Sequence, residues 1–282
     1  LGKIIDGKLI SQKLRMEIKD LIEERIKLGF RRPCLASILV GEDGGSLYYM
    51  NNQKNICDKL NVQYKKVLLN KNIDEVQLIE VINNLNNDKE IDGIIIQMPL
   101  PKHINEKKIT SNLNYLKDVD GLTDVNLGKF YKGDDCFEPC TPQSIIHLIK
   151  STGFNIEGKH AVIIGRSNIV GKPVWELLLR ENATVTMCHS KTKNLKNICN
   201  QADILICAIG KPEFINAEYI KEGAIVIDVG TTKVNDEIKG DVLFNEVISK
   251  ASYITPVPGG VGAMTTTMLI KNTYKAWLKN VY

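Results

Sequence analysis

Apolar positions along the chain follow two alternating rhythms. Leu14, Ile18, Leu21, Ile22 and Ile26 share one helical face, with Ser11 as a candidate cap and Gly29 as a stop, which predicts an amphipathic helix. The run Leu35-Ala36-Ser37-Ile38-Leu39-Val40 then ends at Gly41, and a continuous apolar run of this length suits a strand covered on both faces. The same reading predicts a helix over 46–60, a strand over 64–69, a helix over 74–85 and a strand over 91–98. Residues 99–142 are richer in Pro, Gly, Asn and Asp, a shift expected of a loop-rich seam. From about 143 a helix leads into strands at 160–165, 183–188, 203–208 and 224–229, separated by helical segments. A charged hairpin-like excursion at 232–241, a Pro-Gly-Gly turn within 254–262 and a helix over 264–278 complete the pattern. This alternation predicts an α/β protein with largely parallel sheets. The expected division is 1–142 plus 264–282 as one domain and 143–263 as a Rossmann-like one, since 282 residues exceed the ~100–200 of a single typical domain.

Composition narrows the classes without choosing among them. With 43% hydrophobic and 25% charged residues the chain has ample core, and a formal charge of +4 spread along the sequence gives no nucleic-acid footprint. No apolar run reaches the ~18 residues of a membrane span. Residues 1–7 lack a charged-then-apolar signal pattern. The seven cysteines form no Cys-x-x-Cys pair, so buried free thiols in a cytoplasmic protein are expected, with neither disulfide nor metal.

Candidate chemistry begins at the run from His160 to Pro173, which reads as a buried strand, a turn bracketed by Gly165 and Gly171, and a helix start. That is how a dinucleotide phosphate is cradled, although its Gly-x-Ser-x-x-x-Gly spacing also fits an ordinary strand-to-helix turn. An NAD site would carry a carboxylate at the end of the next strand, roughly 20 residues on. Here that strand ends in His189-Ser190-Lys191-Thr192-Lys193. Hydroxyl donors and cations are what a 2′-phosphate needs, with Arg166 as a planar fork, so NADP is favoured over NAD.

Several stretches together resemble the bifunctional 5,10-methylenetetrahydrofolate dehydrogenase/cyclohydrolase (FolD) family. They are the run from Asp92 to Pro101, Lys117-Asp118-Val119-Asp120-Gly121, Pro139-Cys140-Thr141-Pro142, the run from Gly165 to Pro173, and Thr255-Pro256-Val257-Pro258-Gly259-Gly260-Val261-Gly262. The resemblance implies NADP-dependent oxidation of the folate methylene bridge in a cleft between a folate domain and a Rossmann-like domain, usually in a homodimer. Its second activity is hydrolysis of the methenyl product to 10-formyltetrahydrofolate. It assigns substrate contacts to Tyr49, Gln97, Asp120, Pro258, Gly259, Gly260, Val261 and Gly262, with Tyr49, Gln53, Gln97 and Asp120 as the catalytic set. Cofactor contacts fall on Thr141, Gly165, Arg166, Ser167, Ser190 and Thr231. These assignments make chemical sense: one carboxylate, here Asp120, can accept both donors of a pterin's pyrimidine edge, and Gln97 ends an apolar strand where open α/β folds bind ligands. Asp118 reads as structural. Where the family's turn continues with proline this chain has Ala263, and a slightly looser turn is expected.

One departure bears on the reaction. The family's Ser-x-x-Tyr-x-x-x-Lys fits Ser46 and Tyr49, but the lysine position holds Gln53. Gln53 lies one helical turn past Tyr49 on the same stripe, whereas Lys54 is rotated by about 100° and reads as a surface cation. Hydride loss from the bridge needs positioning and no side-chain base, while water attack on the methenyl carbon needs a proton acceptor that an amide cannot supply. Dehydrogenase activity is therefore expected to survive, and cyclohydrolase activity to be weak or absent unless Lys54 swings in or another group substitutes. Two alternatives are a non-catalytic NADP- or folate-binding sensor and an oxidoreductase of shikimate-dehydrogenase type.

Overall fold

In the computed structural model, which describes residues 1–235 and 237–281, the first half runs β1 (Lys3–Ile4), α1 (Gly7–Lys27), β2 (Cys34–Val40), α2 (Gly44–Lys59), β3 (Gln63–Leu69), α3 (Glu75–Asn87), β4 (Gly93–Ile96), α4 (Glu106–Ser111) and α5 (Asp124–Lys132). The second half runs α6 (Cys140–Ser151), β5 (His160–Ile164), α7 (Gly171–Arg180), β6 (Thr184–Cys188), α8 (Leu195–Cys199), β7 (Ile204–Cys207), β8 (Ile225–Asp228), β9 (Thr232–Val234), β10 (Glu237–Lys239), α9 (Phe244–Val247), β11 (Tyr253–Ile254) and α10 (Val261–Val281). Two compact units result, Leu1–Lys13 with Pro139–Met268, and Leu14–Glu138 with Leu269–Tyr282.

The unit containing β2 has a three-stranded parallel sheet ordered β3-β2-β4. Every residue of β2 is buried, because helices cover both faces, and this erases the alternation a one-sided strand would show. Cys34, Ala36, Ile38 and Val40 pack with Leu78, Ile82 and Leu85 of α3 and with Ile94 and Ile96 of β4. The opposite face, carrying Leu35, Ser37 and Leu39, is left for α2. Asp92 ties this unit together: its buried carboxylate accepts both Arg31 guanidinium nitrogens at 2.7 Å, the Cys34 amide at 2.8 Å and the Asn280 side chain at 2.8 Å. A buried charge so fully hydrogen-bonded offsets its own desolvation.

The other unit is a six-stranded sheet ordered β1-β11-β8-β7-β5-β6, parallel at every pairing. Val162, Ile164, Leu205, Cys207, Val226 and Ile254 form one side of its core. The excursion read at 232–241 is an antiparallel hairpin of β9 and β10. All seven cysteines are buried free thiols.

Three local features differ from the sequence reading. The first helix starts at Gly7 rather than Ser11, because Asp6 caps it by accepting the Leu9 amide at 3.0 Å, while the Ser11 hydroxyl donates to the Lys8 carbonyl. The seam at 99–142 holds α4 and α5, capped by Asn105 and Thr123, whose side chains accept from Lys108 and Asn126 amides; such caps stabilise short helices in a polar stretch. Finally, residues 1–13 group with the nucleotide-type sheet rather than with the first domain, since β1 pairs with β11 and the Ile5 amide donates to the Ile254 carbonyl. The last part of α10, residues 269–281, groups with the first domain.

Candidate active site

At the carboxyl ends of β5 and β6 the strands are in register through Ile164 and Cys188, and the Gly165 amide donates to the Cys188 carbonyl at 2.9 Å. Arg166 and Ser190 therefore each lie two residues beyond a paired position on neighbouring strands, and both are exposed. Gly165 has φ +134°, and a Cβ there would meet the Ala208 carbonyl oxygen at 2.3 Å. Only glycine lets the chain turn this close to the next strand. Ser167 is exposed, and its hydroxyl accepts the Val170 and Gly171 amides at 3.2 and 3.3 Å where α7 begins. In the 189–193 loop the His189 amide donates to Thr192, Lys191 and Lys193 are exposed, and no carboxylate is present. This donor set suits an anionic phosphate ester: exposed cations and hydroxyls beside a helix N-terminus. Thr141, half-buried in the first turn of α6, lies with its hydroxyl 3.5 Å from that of Thr265, and Thr231 is exposed past the end of β8.

Two buried acids brace this edge, and the sequence reading missed both. Asp241 accepts the Ile209, Gly210 and Lys211 amides at 2.6, 3.1 and 2.7 Å, fixing the loop after β7. Asp228 accepts the amides of Gly230, Asp241 and Val242, each at 2.9 Å, fixing the loop after β8. Burial pushes the Asp228 carboxyl up to about 6 against the pull of those amides, and the neighbouring Asp241 charge adds to the rise. In the 258–262 turn Gly259 has φ +112°, a left-handed conformation natural to glycine. In this turn the Ala263 amide donates to the Gly260 carbonyl at 3.2 Å, a bond a proline could not make.

In the other unit a polar diagonal crosses the sheet face that α2 covers. Tyr64 is in register with Leu35, and Ser37 with Ile95. Because side chains two residues apart share a face, Tyr64, Ser37 and Gln97 point the same way. Over them α2 lowers Gln53, only 6% exposed. The Gln53 carbonyl oxygen accepts from the Tyr64 hydroxyl at 2.8 Å and the Gln97 amide at 3.2 Å, with the Ser37 hydroxyl at 3.5 Å. Gln97 also donates to Ser37 at 2.9 Å. Burial raises the Tyr64 hydroxyl far above its ordinary range, so it stays protonated.

The helix itself starts at Asp43, whose carboxylate accepts the Ser46 amide and hydroxyl at 2.8 and 2.9 Å. Tyr49, one turn before Gln53, is 45% exposed. Lys54 points to solvent and pairs with Asp58 at 2.6 Å, away from the diagonal. Beside β4, the Ile94–Asp118 bridge brings in the 117–121 segment. Asp118 is buried and accepts the Leu122 and Thr123 amides and the Asn126 side chain. Lys117 donates to the Leu85 and Asp88 carbonyls. Asp120, two residues on, is half-buried and lines a small pocket with Ile96, Met98 and Leu122. The structure thus brings Gln53 and Gln97 into direct contact and seats Asp120 on the neighbouring segment. Ser37 and Tyr64, which complete the cluster, went unread; the single hydroxyl inside an apolar strand was the available signal.

Comparison with known proteins agrees across the chain. Residues 5–120 match the catalytic domain of tetrahydrofolate dehydrogenase/cyclohydrolase, and residues 139–281 match its NAD(P)-binding domain. The bifunctional protein FolD of Clostridium novyi is 59% identical over 96% of this chain and 98% of its own. The crystal structure of the Campylobacter jejuni bifunctional enzyme FolD superposes with a TM-score of 0.96 at 42% identity, covering 99% of both chains. That of Trypanosoma brucei FolD, complexed with NADP cofactor and inhibitor, gives 0.95 at 35% identity over 99% of this chain and 98% of that one. The chain belongs to the tetrahydrofolate dehydrogenase/cyclohydrolase family.

Proposed function

We propose that this protein oxidises 5,10-methylenetetrahydrofolate to the 5,10-methenyl form with NADP as acceptor, and that it releases the methenyl product without hydrolysing it. The family match in both domains supports the first half. The observation that carries the second is the Gln53 carbonyl, buried where the family's lysine belongs and already accepting from Tyr64 and Gln97.

The roles follow from the groups present. Asp120 accepts the paired donors of the pterin ring, a charge-assisted bidentate contact that fixes its orientation. Tyr49 offers an exposed ring face to the aromatic part of the folate. Gln97, held by Ser37, orients the bridge region. The 258–262 turn, free of bulky side chains apart from Val261 and Pro258, lies against a flat ring. Arg166, Ser167 and Ser190 bind the phosphates together with the Gly165 turn, Thr141 and Thr231. When bound, NADP supplies the hydride acceptor.

Hydride leaves the bridge carbon because the N5 and N10 lone pairs stabilise the cation that remains, so the protein has to position and not to deprotonate. Water attack on that cation would require a base within hydrogen-bond reach. Gln53 is not one, and Lys54 lies on the solvent side, where it pairs with Asp58. A neutral amide beside the bridge also avoids repelling the forming cation. Neither the sensor nor the shikimate-type alternative is favoured, since matches to the same family cover both halves of the chain. We infer a cytoplasmic homodimer, which sedimentation would check. The direct test is reduction of NADP by methylenetetrahydrofolate; no reduction, with NADP and folate bound, would favour the sensor.

A further inference from the structure

Gln53 uses its two polar ends unequally. Its carbonyl oxygen meets three donors, while its Nε2 has no hydrogen-bond partner among the described residues and is not sealed from solvent. An amide nitrogen on a residue 6% exposed is costly to leave without an acceptor. On α2 it follows Tyr49 by one turn, and it touches Gln97. Solvent reaches that nitrogen in the free protein, and an acceptor on a ligand seated on this face would take its place.

We propose that Tyr64 is a positioning residue for the folate site: its hydroxyl pins the Gln53 carbonyl, so that Gln53 presents its Nε2 group as a donor to an acceptor atom of the folate. This rests on the folate reading of the site. Tyr64 reaches Gln53 from β3, in register with Leu35. The hydroxyl remains protonated over the working pH range because burial disfavours the phenolate. Ser37, 3.5 Å from the same oxygen, contributes less and is shared with Gln97. Without Tyr64 the Gln53 carbonyl keeps only the Gln97 amide at 3.2 Å and the Ser37 hydroxyl at 3.5 Å, so its donor and acceptor ends are held less firmly. The lysine position has thus become a fixed neutral donor, with Tyr64 setting its direction.

The test is a double-mutant cycle of Tyr64→Phe and Gln53→Leu, read by the affinity of a non-reactive folate analogue without cofactor, by KM for methylenetetrahydrofolate and by NADP affinity. Tyr64→Phe alone is expected to weaken analogue binding and raise KM roughly 3- to 10-fold, leaving NADP affinity unchanged. In the Gln53→Leu background the same change should have less than about a twofold effect, because nothing remains to pin. Ser37→Ala, a milder removal from the same cluster, should fall between wild type and Tyr64→Phe. Equal effects of Tyr64→Phe in both backgrounds, or none in either, would overturn the proposal while leaving the folate reading intact. Failure of the wild-type protein to bind any folate analogue would overturn both.

Discussion

The two units build their proposed ligand sites from different materials. In the nucleotide-type unit the edge is mostly main chain and exposed side chains: a glycine turn against Ala208, the start of α7, and Arg166 and Ser190 standing free of the sheet. In the other unit the site is a largely buried cluster in which Ser37, Gln53, Tyr64 and Gln97 hydrogen-bond to one another. An exposed edge tolerates change one residue at a time, because solvent replaces what is lost. A buried polar cluster does not, since each member sets the direction of the others. The chemistry of this chain should therefore be decided in the cluster, and its cofactor preference at the edge.

The largest expected effect comes from restoring a base within the cluster. Gln53→Lys should raise the rate of methenyl hydrolysis by roughly 100-fold over the parent, measured by loss of methenyl absorbance, with dehydrogenase activity retained. No gain would mean that the cluster does not face the bridge carbon. Next, Asp120→Asn should lower kcat/KM for the folate by roughly 10- to 100-fold, the worth of hydrogen bonds to a charged acceptor, with NADP affinity unchanged.

At the edge, Arg166→Ala should raise KM for NADP by about 10-fold while leaving the weaker use of NAD nearly untouched, as steady-state rates with each cofactor would show. Equal losses with both would place Arg166 on the shared pyrophosphate instead. The smallest effect concerns pH. Asp228 keeps its proton up to about 6 in the folded chain, against about 3.9 when unfolded. The folded form binds more protons in that window, so stability should fall as pH rises from about 4 to about 6 and then level off. Denaturant midpoints should follow that slope, and Asp228→Asn should flatten it.

The same contrast explains what could be read without coordinates. The strand-turn-helix around Gly165 is local, and its glycines, hydroxyls and following helix lie within a few residues of one another, so the sequence carried it. Gln53 was legible because it keeps helical phase with Tyr49. Tyr64 and Ser37 were not, because their meeting depends on the parallel register of β2 with β3 and β4, and β2, buried on both faces, shows no alternation to reveal which side Ser37 takes. Asp228 and Asp241 act through backbone amides of loops that only the sheet order brings together. The two-residue strand β1 is likewise recognisable only by its partner β11. What pairs across the sheet is decided by topology, and one sequence does not display it.

The central claim is that the bridge is oxidised here and the product is left as the methenyl cation. Simultaneous measurement of NADPH formed and methenyltetrahydrofolate accumulated, corrected for uncatalysed hydrolysis, tests it most directly. The account predicts a ratio near one throughout the reaction; a ratio that falls steadily as 10-formyltetrahydrofolate appears in proportion to enzyme would contradict it.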